Sequence, residues 1–211
     1  MRKNTYHHGN LKETLLDISF DFIEKNDIDK LTLKILSEIT GTSRSAIYSH
    51  FSSKDALIEA MILDGFKRFD LYLSPLLNAK DVLFVTKLRQ ASRAYIEFAR
   101  SNKVLYRLLF GSKYAHIRMD IMTKNDPDRS GFGSLLLAIE AAQKDGNVKP
   151  GDPYRLTITV WAMLHGLASL LIDGFIGMEA MQDALFEEVF SGIVLTLGSS
   201  DTSDRRSDDM A

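Results

Sequence analysis

Residues 31–54, LTLKILSEITGTSRSAIYSHFSSK, constrain the fold more tightly than any other stretch of the chain. Thr32 stands where a helix N-cap belongs, and Leu33, Leu36 and Ile39 give a short helix one apolar side. Gly41 follows directly, where the backbone needs a left-handed angle that glycine adopts at least cost. Ser43 then caps a second short helix, whose Ile47 and Phe51, spaced i, i+4, turn inward. Arg44, Ser45, Tyr48 and Ser49 are left facing outward. Two short helices across a tight glycine turn form a helix-turn-helix. A second helix carrying small polar side chains and an arginine fits the major groove, where an arginine reads O6 and N7 of guanine.

The rest of the chain reads as helix. Leucine and alanine far outnumber valine, the prolines number 4, and no stretch alternates as a half-buried strand does. Leu11, Leu15, Ile18 and Phe22 share one helical face, with Asn10 in position to cap it and Glu13 to complete a capping box. Further helical runs fall at about 53–74, 80–101, 103–112, 130–145, 153–173 and 179–197, with Pro75 closing the first of these. Together with the two short helices they predict an all-α protein of about nine helices. It divides into a three-helix head, residues 1–52, and a larger helical body, 53–198. Residues 199–211, SSDTSDRRSDDMA, have no apolar period and are expected to form a disordered tail.

Met1–Asn10 is polar and lacks the apolar core of a signal peptide. The stretch Leu156–Ile176 is long and apolar enough to raise the membrane question. His165 and Asp173 are expensive in hydrocarbon, so a buried helix or one packed between subunits is the expectation, with no membrane partner. Gly166 and Gly192 fall inside predicted helices, where close approach of a second helix explains them best.

Catalytic and metal chemistry lack their residues. With 0 cysteines there is no thiolate nucleophile, zinc finger or iron–sulfur cluster. No phosphate-binding glycine–lysine loop, His-Glu-x-x-His or Glu-x-x-His occurs, and Gly131-x-Gly133 lacks a third glycine. Asp126 to Gly131 imitates the start of a calcium loop, but its twelfth position is Leu137 in place of glutamate. His7 and His8 are adjacent on an arm without acidic or cysteine neighbours, a poor first coordination set. The chain is therefore expected to be no enzyme and to hold no metal and no cofactor.

The motif residues Thr32, Gly41-Thr42-Ser43, Tyr48-Ser49-His50-Phe51 and Ser53-Lys54-Asp55-Ala56-Leu57 resemble the tetracycline-repressor-like (TetR) family of bacterial regulators. Ser37 and Thr40 stand where that family usually has alanine, and Thr42 where it usually has valine; all are small-for-small changes. Tyr6-His7-His8-Gly9-Asn10-Leu11 and Trp161-x-x-x-His165-Gly166 resemble the branch with a Trp-His-Gly C-terminal region. The resemblance implies a cytoplasmic transcriptional regulator, usually a repressor. It implies a homodimer joined through the last two long helices, a palindromic operator, and a small-molecule pocket in the body. It also implies that Tyr48, His50 and Lys54 meet the DNA backbone. A helical small-molecule-binding or interaction protein whose head no longer reads DNA is the alternative, opposed by the intact Thr32, Tyr48, His50 and Lys54.

The net charge of −2 offers no bulk attraction to nucleic acid, and residues 1–54 hold eight Lys/Arg against seven Asp/Glu. The distribution matters more than the sum. Arg2, Lys3, Arg44 and Lys54 lie on the arm and the reading face, whereas Asp17, Asp21, Glu24, Asp27 and Asp29 belong to the first helix and its exit. The expected DNA-binding set is Arg2, Lys3, Thr32, Ser43, Arg44, Ser45, Ala46, Tyr48, Ser49, His50 and Lys54. In the body, Tyr95, Phe98, Tyr106, Phe110, Met119, Phe132 and Trp161 are interleaved with few charges, and His165 adds a polar handle one turn from Trp161. A pocket lined by these residues would take a small, mostly apolar or aromatic effector with one hydrogen-bonding group.

Overall fold

The computed structural model describes residues 11–124 and 132–198. The helices are α1 Leu11–Lys25, α2 Leu33–Thr40, α3 Arg44–His50, α4 Lys54–Leu77, α5 Phe84–Ser101, α6 Lys103–Phe110, α7 Ala115–Lys124, α8 Gly133–Lys144, α9 Pro153–Ile172 and α10 Glu179–Leu197. A single 3-10 turn, Ile28–Lys30, joins α1 to α2. No strand occurs among the described residues, so the all-α class holds. The ten α-helices among the described residues are one more than the sequence pattern yields, and the addition is α7. Among the described side chains of its AHIRMDIMTK, the buried apolar pair is Ile117 and Ile121 at i, i+4, too short a stripe to stand out in sequence.

The described residues cluster into two compact units, one of residues 11–66 with 104–124 and one of 67–103 with 132–198. In the first, Leu15, Phe20 and Ile23 of α1 are buried, as are Leu36, Ile47 and Phe51 of the helix-turn-helix and Leu57, Ile58 and Met61 of α4. The buried face of α1 is Leu15, Leu16, Ser19, Phe20 and Ile23, while Ile18 and Phe22 lie at its half-buried margin. Gly65 lets α4 and α6 approach closely: a Cβ there would lie 2.9 Å from methyl groups of both Leu105 and Leu109. Arg118 of α7 donates to the carbonyls of Leu108 and Gly111, satisfying the open C-terminal end of α6, and burial pulls its basicity down.

The second unit packs α9 against α5, α8 and α10, and α5 against α10. Asp152 caps α9 by accepting from the N–H groups of Tyr154 and Arg155, and Pro153 occupies the first turn, where its missing N–H costs nothing. The α5–α10 contact is tied by charge: Arg89 and Arg93 both hold Glu187, while their guanidinium groups lie over the rings of Phe190 and Phe186 at 4.2 and 4.4 Å. Both arginines hold the Glu187 carboxyl below the usual carboxylate range. Pro75 does not close α4, which runs on to Leu77. The proline sits in the last turn, and the N–H of Asn78 still finds the carbonyl of Ser74 at 3.0 Å.

Candidate functional site

The helix-turn-helix is built from local devices. The hydroxyl of Thr32 accepts from the N–H of Ile35 at 3.1 Å, and that of Ser43 from the N–H of Ala46 at 3.3 Å, each cap contributing about 1 kcal/mol. Gly41 turns the chain at φ +65°. The family departures have a purpose here: Ser37 donates its hydroxyl to the carbonyl of Thr42 at 2.6 Å, and Thr40 donates to Leu36 at 2.8 Å, so the turn is pinned from both sides. The expected apolar side of α2 needs one correction. Leu33 and Leu36 are buried, but Ile39 is 51% exposed. In a helix this short, only two of the three apolar residues reach the shared core.

With Ile47 and Phe51 inward, Arg44, Ser45, Tyr48, Ser49 and His50 are all exposed on α3, and Ala46 is half-buried. Ser45 shares its hydroxyl with Ser43 at 3.0 Å, and Ser49 donates to the carbonyl of Ala46 at 2.8 Å. Arg44 has no protein partner among the described residues, so its five donors face solvent. Lys54, at the start of α4, is differently placed. Its ammonium donates to the carbonyls of Ile28 and Asp29, both at 3.0 Å. Arg2, Lys3, His7, His8 and Asn10 lie outside the described residues, as do residues 125–131 and 199–211.

The eight residues expected to line an effector pocket fall into separate groups. In the second unit, Phe132 meets Trp161 edge-on at 4.8 Å, and Trp161 stacks on His165 at 4.9 Å. Burial of the His165 imidazole pulls its pKa below the usual histidine value. Tyr95 and Phe98 are buried around the ring of Phe69, at 5.4 and 5.0 Å. Tyr106 and Phe110 pack on each other at 4.8 Å in the first unit, and Met119 is 61% exposed on α7. Two surface clefts occur in the second unit, of about 310 and 490 Å³. Arg93, Arg100, Leu171 and Phe186 line the first; Leu83, Phe84, Lys87 and Leu137 line the second. Neither involves Trp161 or His165.

An all-helical chain that opens on a capped helix-turn-helix with a polar outward face is built as a DNA-binding regulator. Two family models match it: one described as bacterial regulatory proteins, tetR family, over residues 15–61, and one described as tetracyclin repressor-like, C-terminal domain, over residues 88–193. The chain belongs to the TetR family of transcriptional regulators. The description of the C-terminal match does not mention a Trp-His-Gly branch.

Solved structures share the fold. A Rhodococcus sp. RHA1 protein of unknown function is 25% identical with a TM-score of 0.72, covering 90% of this chain and 98% of that one. A TetR-family transcriptional regulator from Pectobacterium atrosepticum shares the fold at 20% identity and a TM-score of 0.64, over 88% of this chain and 91% of the other. The reduced form of NemR from E. coli shares it at 14% identity and 0.67, over 89% and 98%. No curated protein sequence matches this chain.

Proposed function

We propose that this regulator is a cytoplasmic, ligand-responsive repressor that binds a palindromic operator as a homodimer. One observation carries the DNA reading: the unpaired Arg44 stands beside exposed Ser45, Tyr48 and Ser49 on a rigidly capped α3. Arg44 reads a guanine in each half-site, Ser45 and Ala46 touch neighbouring bases, and Thr32, Ser43, Tyr48, Ser49, His50 and Lys54 position the head on phosphates. Arg2 and Lys3 add charge from the arm.

The homodimer is supported by α9. It carries no Asp, Glu, Lys or Arg from Leu156 to Ile172, yet only 33% of its most apolar eighteen-residue window is buried within the chain. Thr159, Ala162, Gly166 and Leu170 form an exposed stripe along it, and Met181, Ala184, Ser191 and Leu195 one along α10. Among the described residues, nothing beyond the helix's own nearby backbone lies within 4 Å of a Cβ built at Gly166 or Gly192, which supports close approach of a second copy there. The effector reading rests on Trp161, stacked on half-buried His165 and edged by Phe132: an aromatic wall with one hydrogen-bonding group. Tyr95 and Phe98, buried around Phe69, form a separate group in the same unit. A ligand releases DNA only by binding the non-operator geometry better than the operator geometry.

A gel-shift titration on the protein's own upstream region, with light scattering of the complex, tests this. Two chains per duplex support the reading; a protein that retards no duplex overturns it.

A further inference from the structure

Outside the helix-turn-helix, one cation is tied to the same turn that holds Lys54. Lys113, between α6 and α7, lies 2.7 Å from Oδ2 of Asp29 and 3.9 Å from Oδ1 of Asp27. Asp27 is committed locally, since its Oδ1 accepts the N–H of Asp29 at 2.8 Å and caps the 3-10 turn. The Asp29 carboxylate has no such local duty. Its residue also supplies, through the backbone carbonyl, one of the two acceptors for the Lys54 ammonium. Asp29 is thus the node: carboxylate to Lys113, carbonyl to Lys54. The Lys113 hydrogen bond is the main cause holding the Asp29 carboxyl below its usual value, and the charge of Lys54 acts on it in the same direction.

The consequence for Lys54 follows from hydrogen-bond strength. An ammonium on two neutral carbonyls passes readily to a phosphate, because a charge-assisted bond is roughly twice as strong as a neutral one. An ammonium on a carboxylate does not, because phosphate then only exchanges one anion for another. We propose that Lys113 is a positioning residue for DNA binding: by holding the Asp29 carboxylate, it keeps that carboxylate off Lys54 and leaves the ammonium available to the DNA backbone. The inference rests on the DNA-binding reading above. The pair is half-exposed, with side chains 49% and 64% accessible, so its removal should leave the fold intact.

The test uses the full-length protein and the duplex that it retains from a random pool. Affinity and its salt dependence are measured for the unmodified protein, Lys113→Gln, Lys113→Arg, Asp29→Asn and the Lys113→Gln/Asp29→Asn double variant, with thermal melts as a check of folding. Lys113→Gln should weaken binding about tenfold, the worth of one charge-assisted hydrogen bond, and flatten the salt slope. Lys113→Arg should bind as the unmodified protein does. In the Asp29→Asn background, adding Lys113→Gln should change affinity by no more than about twofold, because no carboxylate remains to capture Lys54. An unchanged affinity for Lys113→Gln overturns the inference, as does an equal loss in both backgrounds, which would mean that Lys113 meets phosphate itself. If the unmodified protein retains no duplex at all, the DNA-binding reading fails first and takes this inference with it.

Discussion

Among the described residues, helices α3 and α9 each have one exposed face, and the two faces differ in kind. On α3 the outward side chains are Arg44, Ser45, Tyr48 and Ser49, all polar, with the Arg44 donors unengaged among the described residues. On α9 they are Thr159, Ala162, Gly166 and Leu170, small or apolar, on a helix apolar nearly all round. A polar face costs nothing in water and waits for a charged partner. An apolar face is costly while wet, by about 25 cal/mol for each Å² left exposed, and calls for a permanent one. On the proposed reading, the difference separates a reversible interface to DNA from a lasting seam between two copies of the chain.

The strongest way to break the comparison is at α9. Gly166→Leu has room within the chain, so it should leave the fold intact while blocking close helix approach at the seam. Light scattering at micromolar concentration should then show monomers, and operator affinity should fall by about 100-fold or more as the second half-site contact is lost. A variant that remains dimeric would place the seam elsewhere. At α3, Arg44→Ala should cost about 1–3 kcal/mol on the preferred duplex and relax the preference at one base pair per half-site. Equal losses on preferred and random duplexes would make Arg44 a phosphate contact.

Smaller effects sharpen the picture. Lys54→Ala should weaken binding to all sequences and reduce the salt slope by about one unit per subunit, checked by titration at several salt concentrations. Smallest is a pH effect in the body. His165 is half-buried with its pKa lowered, so the unfolded chain takes up its proton first as the pH falls. The contribution is complete above the unfolded histidine value near 6.5 and is lost as pH drops from there toward the folded value. Melting temperatures from pH 7.5 to 5.5 should therefore fall less in His165→Gln than in the unmodified protein.

How much of this was legible in the sequence depended on how local the cause was. The caps Thr32 and Ser43 and the turn at Gly41 each act within a few residues, and the pattern located them directly. Trp161 and His165 at i, i+4 were bound to meet on one face of a helix, and they stack. Periodicity could not say which of Leu33, Leu36 and Ile39 would reach the core, because that depends on where α1 and α4 pass. Helix α7 escaped for want of a stripe. The Lys54 and Lys113 contacts to the turn after α1 span 25 to 86 residues, and no spacing in the sequence announces a pairing of that range. Helix α9 stood out as apolar in sequence, but only the fold shows that Thr159, Ala162, Gly166 and Leu170 stay exposed on it.

The central claim, that α3 of a symmetric pair reads DNA, is tested most directly by sequencing the duplexes that the purified protein retains from a random pool. The account predicts an inverted repeat, with half-site centres about one helical turn apart or a multiple of it and a fixed guanine in each half that Arg44→Ala releases. Retained DNA without any enriched sequence, or with a single unrepeated motif, would contradict it.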